Sequence, residues 1–73
     1  MQVSAATVVA LLEQTRIQKG VSRGQLASLS GWSQGTLFNI AVKPESVKLA
    51  QLFDIAEALG VQITLEIDKI LLK

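Results

Sequence analysis

The sequence contains no cysteine and no histidine. Disulfides, Cys/His zinc sites, thiolate nucleophiles and imidazole bases are therefore excluded together. Proline occurs once, at Pro44, and the aromatic residues are only Trp32, Phe38 and Phe53. No apolar run approaches the roughly 18 to 20 residues that cross a bilayer. The longest mild run, Ala5 to Leu12, is interrupted by Thr7, and no cationic segment precedes it. Neither a membrane span nor a secretory signal is expected, and the cytoplasm is the expected location. The lack of cysteine agrees with a reducing compartment.

What remains is a short, aliphatic chain. Its 73 residues suit one domain, and 49% hydrophobic against 18% charged residues excludes a disordered tail. Mean hydropathy is +0.42, high for a domain that buries only about 60% of its unfolded surface. Burying apolar surface against a second copy reconciles the two, so a homodimer is expected. The net charge of +1 is unevenly distributed. Arg16, Lys19, Arg23, Lys43 and Lys48 face a single acid, Glu45, between residues 16 and 48. The remainder carries Glu13, Asp54, Glu57, Glu66 and Asp68 against Lys69 and Lys73. A basic middle with acidic flanks points to a polyanion-facing surface.

Periodicity predicts four helices. The first spans about Ala5 to Lys19, capped by Ser4 and stopped by Gly20, with Val8, Leu12 and Thr15 on one face. Ser22 and Gln25 form a capping-box pattern for a second helix, Arg23 to Leu29, with Leu26 and Leu29 inward. Ser33 caps a third, Gln34 to Ala41, burying Leu37 and Ile40. Pro44 falls in a loop. The fourth, about Lys48 to Leu59, is expected to bury Leu49, Leu52, Phe53, Ile55, Ala56 and Leu59 before Gly60 stops it. The period then changes to two: Val61, Ile63, Leu65 and Ile67 alternate with polar residues, a half-buried strand pattern. A lone strand needs a partner, and a two-fold axis supplies an antiparallel copy. Residues 69–73 fit neither period.

The informative stretch is VSRGQLASLSGWSQGTLFNI, Val21 to Ile40. Two short helices are joined there by a tight turn, with Ala27 at the crossing and Gly31 in the turn. This is the helix-turn-helix layout, whose second helix enters the major groove. Gln34 can pair bidentately with adenine, and Gly35 permits close backbone approach. Phe38 lies a turn after Gln34 on the outer face, where it either touches a thymine methyl or packs on a partner. Asn39 is a further candidate for phosphate or base. Thr36 faces the groove or a phosphate, as does Ser33 beside its capping duty. Lys43 and Lys48 reach backbone phosphates or are simply solvated. Trp32 reads as a partly buried pin of the turn rather than a stacking platform. Arg16 is expected to pair with Asp54 or Glu57 of the fourth helix.

Over about residues 8 to 60 the sequence resembles the lambda-repressor-like, Xre-type (Cro-like) helix-turn-helix family. Arg16 four residues before Gly20, the GVS…QLA…SGWS…TL..I core and the closing LFDIAEALGV carry the resemblance. The family usually has an acid–X–Gly step after the recognition helix; here Ala41, Val42 and Lys43 stand there. Its proline before the fourth helix is displaced to Pro44. The resemblance implies that Arg23, at the start of the second helix, contacts a phosphate, a task suited to a guanidinium at a helix N-terminus; otherwise it is a solvated surface arginine.

The expected fold is all-α: a four- to five-helix domain over residues 1–60, with the helix-turn-helix at about 22–41. A C-terminal strand arm, 61–73, is expected to pair in a dimer through Val61, Ile63, Leu65 and Ile67. The expected function is sequence-specific regulation, as a repressor, at a palindromic operator on double-stranded DNA. No catalytic motif, cofactor loop or metal spacing is present, so no enzyme and no cofactor are expected. Two other readings are compatible with the sequence. One is an antitoxin-type protein that binds a toxin through its apolar KILLK tail and autoregulates its operon. The other is a scaffold that has lost DNA binding.

Overall fold

The computed structural model describes residues 4–64. They form four α-helices: α1 (Ala5–Gln18), α2 (Arg23–Ser30), α3 (Gln34–Val42) and α4 (Leu49–Ala58). A single 3-10 turn, Pro44–Ser46, occupies the expected loop between α3 and α4. Among the described residues no helix is long and apolar enough to cross a membrane.

Each helix start has a local cause. Ser4 caps α1 by accepting from the Thr7 N–H at 3.2 Å. Ser22 and Gln25 complete a reciprocal box at α2, with bonds of 3.0 and 2.8 Å. Lys48 has no side-chain acceptor, so α4 has half of this device: the Gln51 carboxamide accepts from the Lys48 N–H at 2.8 Å. That bond gives Gln51, the one buried polar residue among the described residues, a partner for its carbonyl.

The ends of α1 and α4 match. In each, two N–H groups beyond the helix fold back on the last turn: Gly20 to Ile17 and Val21 to Arg16, then Gly60 to Glu57 and Val61 to Ala56. Both are Schellman ends, which require the left-handed region at the glycine; Gly60 has φ +72°. Lys19 ties the two together by donating from Nζ to the Leu59 carbonyl at 2.6 Å. A cation there also opposes the negative end of each helix dipole.

The core comprises Val9 and Leu12 of α1, Leu26 of α2, Leu37 and Ile40 of α3, and Ile55, Ala56 and Leu59 of α4 and its cap. Three expectations need correction. Leu29 is 63% exposed rather than inward. The inner face of α2 runs through Leu26 and Ala27, and Leu29 stands about 200° round the helix from Ala27. Leu49 and Phe53 are likewise exposed, at 56% and 38%. Each lies two residues before a buried position, Gln51 or Ile55, and so points about 200° away. On α1 the buried stripe centres on Val9 and Leu12, with Val8 only half-buried.

After Gly60 the period-two pattern is visible in burial: Val61 and Ile63 pack against the core, while Gln62 and Thr64 are exposed. Residues 61–64 form no strand. Leu65, Ile67 and the 69–73 tail lie outside the described residues.

Candidate nucleic-acid interface

The α2–turn–α3 unit is built by local hydrogen bonds. Gly31 ends α2 in the left-handed region, φ +81°, and its N–H donates to Ala27. A side chain there would be strained, so glycine is what allows the chain to reverse within three residues. Trp32 is half-buried on the core, and its indole N–H donates to Asp54 of α4 at 2.8 Å. The turn is therefore pinned to α4, as the partly buried reading of Trp32 expects. Nothing local in the sequence links Asp54 to Trp32, 22 residues away.

Ser33 opens α3. Its Oγ accepts from the Thr36 N–H at 3.1 Å and its hydroxyl lies 2.9 Å from the Thr36 hydroxyl oxygen. Leu37 and Ile40 then anchor the inner face of α3 in the core. That leaves Gln34, Gly35, Phe38 and Asn39 exposed on the outer face, with Thr36 half-buried beside them. Phe38 is 54% exposed, a large apolar ring left largely in water.

Helix α2 comes close to this face at its first turn. A Cβ on Gly24 would meet the Gln34 Nε2 at 3.4 Å, so the glycine leaves room for the carboxamide over the start of α2. Arg23 lies over the Phe38 ring, 5.8 Å from its centroid, in a cation–π arrangement. Arg23, Gln34 and Phe38 are thereby brought together. Lys43 is not: it caps the C-terminal end of α3, nine residues and about 13 Å along the axis from Gln34.

Arg16 departs from expectation. It makes no pair with α4; its Nε and Nη2 donate to Glu13 at 3.2 and 2.6 Å, and Nη1 donates to the Val21 carbonyl at 2.7 Å. Asp54 is engaged by Trp32, and a residue three positions away on the same helix is within easier reach of Arg16. Glu13 also receives Arg23 Nη2 at 2.9 Å. The Arg16 hydrogen bond, with the charges of both arginines, holds the Glu13 carboxyl below its ordinary value although partial burial opposes this. Glu13 in turn raises the Arg16 guanidinium above its ordinary value. The i, i+3 spacing of Glu13 and Arg16 was a usable signal in the sequence; nothing local links either to Arg23. Among the described residues no group of three or more carboxylates is placed to hold a metal ion.

No curated protein matches this chain. The Helix-turn-helix family model matches residues 12–65, from the middle of α1 through the whole helix-turn-helix and α4. With its capped α2, left-handed Gly31 turn and outward α3, the chain belongs to the lambda-repressor-like, Xre-type helix-turn-helix family of DNA-binding regulatory domains.

Proposed function

We propose that the protein is a transcription repressor that reads a palindromic operator as a homodimer, with α3 in the major groove. The observation that carries this is the division of α3. One face is fixed in the core by Leu37 and Ile40, and the other offers Gln34, Gly35, Phe38 and Asn39 to solvent.

Each group on that face has a task it suits chemically. Gln34 presents a donor and an acceptor to adenine, and Phe38 an apolar surface to a thymine methyl. Gly35 has no side chain to hold α3 off a base edge or phosphate, and a Cβ there would meet nothing closer than Ser33 Oγ at 4.0 Å. Asn39 reaches base or phosphate. Arg23, Ser33, Thr36 and Lys43 serve the phosphates, which position the domain without reading sequence. Two copies are joined by antiparallel main-chain pairing along Val61, Ile63, Leu65 and Ile67 across a two-fold axis, which leaves the Val61 and Ile63 side chains on their own core. Half-sites then lie about one helical turn apart. Such a regulator acts on cytoplasmic DNA.

Selection from a random duplex library at moderate salt tests the reading. Enrichment of an inverted repeat supports a dimeric DNA reader; an unenriched pool contradicts it. With so few cations at the interface, affinity should fall with salt less steeply than for a strongly basic domain.

A second reading, an antitoxin-type regulator with a toxin partner, draws on the exposed Leu11, Ile17 and Leu29 away from α3. A stable 1:1 complex with the product of a neighbouring gene would support it, and it is compatible with DNA binding.

A further inference from the structure

One carboxylate meets two arginines that serve different elements. Glu13 Oε1 accepts from Arg16 within α1 and from Arg23 Nη2, across to α2, at 2.9 Å. The same Arg23 guanidinium lies 5.8 Å from the Phe38 ring centroid on α3. Arg23 therefore links α1 to the outward face of α3. A free arginine side chain samples many rotamers and loses that freedom on binding. The Glu13 contact and the Phe38 ring restrain it at two points, which lowers the ordering cost that binding would otherwise meet. Glu13 engages only Nη2; among the described residues Nε and Nη1 of Arg23 make no hydrogen bond, and they are left to meet an anion.

We propose that Glu13 is a positioning residue for DNA recognition, holding the Arg23 guanidinium and the Phe38 ring in the arrangement a half-site meets. The proposal rests on the reading of α3 as the DNA-facing helix. Its sign is distinctive. A carboxylate near phosphates repels them, so electrostatics alone has its removal tighten binding to every duplex. A positioning role has its removal weaken binding to the preferred duplex relative to others.

The test uses the full chain as wild type, Glu13→Gln, Arg23→Ala and the double variant. NMR of the DNA-free protein reads the ring-current shift that Phe38 imposes on the Arg23 side-chain protons. Binding is measured to the duplex that the wild type enriches from a random library and to a scrambled duplex of the same composition. The upfield shift should be present in wild type and lost in Glu13→Gln. The affinity ratio between the two duplexes should fall about threefold or more in Glu13→Gln, with no further fall when Arg23 is already alanine. A folded Glu13→Gln that keeps the shift, or that gains equally on both duplexes, overturns the proposal while leaving the DNA reading intact. A wild type that prefers no duplex overturns the DNA reading, and the proposal with it. Should Glu13→Gln not fold, Glu13→Asp keeps the charge on a shorter arm and is judged by the same two readouts.

Discussion

Gln34 and Leu37 stand three residues apart on one helix and do opposite work. The Gln34 side chain is exposed and caps nothing, so Gln34→Ala should leave the denaturation midpoint nearly unchanged. In duplex binding the same variant should cost about 1–3 kcal/mol if the carboxamide reads a base. Leu37 is buried in the core, and Leu37→Ala should cost about 2–5 kcal/mol of stability through the cavity it leaves. Urea denaturation and fluorescence anisotropy on the two variants check both; the reverse pattern would mean α3 is rotated from the register described. Trp32 offers a third residue-scale check. Trp32→Phe keeps the ring against the core but removes the donor to Asp54, a bond to a charged, partly solvated acceptor. The expected loss is about 1 kcal/mol, read as a lower midpoint in urea.

Helix boundaries followed from residues whose chemistry is local. Ser4, Ser22 and Ser33 each have an amide three residues on to cap, and Gly31 and Gly60 occupy left-handed positions that other residues avoid. This makes two glycine substitutions differ in sign. Gly60→Ala should destabilise by about 1–2 kcal/mol, because the left-handed conformation is strained once a Cβ is present. Gly35→Ala, inside α3 with open space around it, should stabilise by up to about 1 kcal/mol while weakening DNA binding through its closer steric boundary. Thermal melts of both variants report the two signs. The sequence was less legible where a helix meets its neighbours. Apolar residues at helical spacing mark a face but not its centre, so Leu29, Leu49 and Phe53 looked buried and are exposed. Arg16 pairs with Glu13 rather than with the expected acids of α4 for a related reason: which acid it reaches depends on how helices pack, and only Glu13 is close in sequence. The outer face of α3 was legible because Leu37 and Ile40 fix which side is inward. The Glu13–Arg23–Phe38 linkage was not, because it joins three helices whose spacing no single-chain periodicity encodes.

At the scale of the molecule, Glu13 of α1 joins two cations of the basic stretch between residues 16 and 48, Arg16 on its own helix and Arg23 on α2. Glu13 also gives stability a pH dependence. Its folded-state pKa lies below the ordinary value of 4.5, chiefly through the Arg16 hydrogen bond. The stabilisation is thus fully present above the unfolded value and is lost as pH falls through the lower, folded value. Denaturation midpoints should decline on acidification below about pH 5, and Glu13→Gln should flatten part of that decline; an unchanged slope in the variant would separate Glu13 from the effect. The central claim concerns which surface meets DNA. Amide shifts in a two-dimensional NMR titration with the selected duplex map that surface directly. The account predicts that the largest changes fall on the first turn of α2 and on residues 33–39, with the outer face of α4 around Phe53 and Glu57 little affected. Changes centred on α4 or on the outer face of α1, with α3 silent, would contradict it.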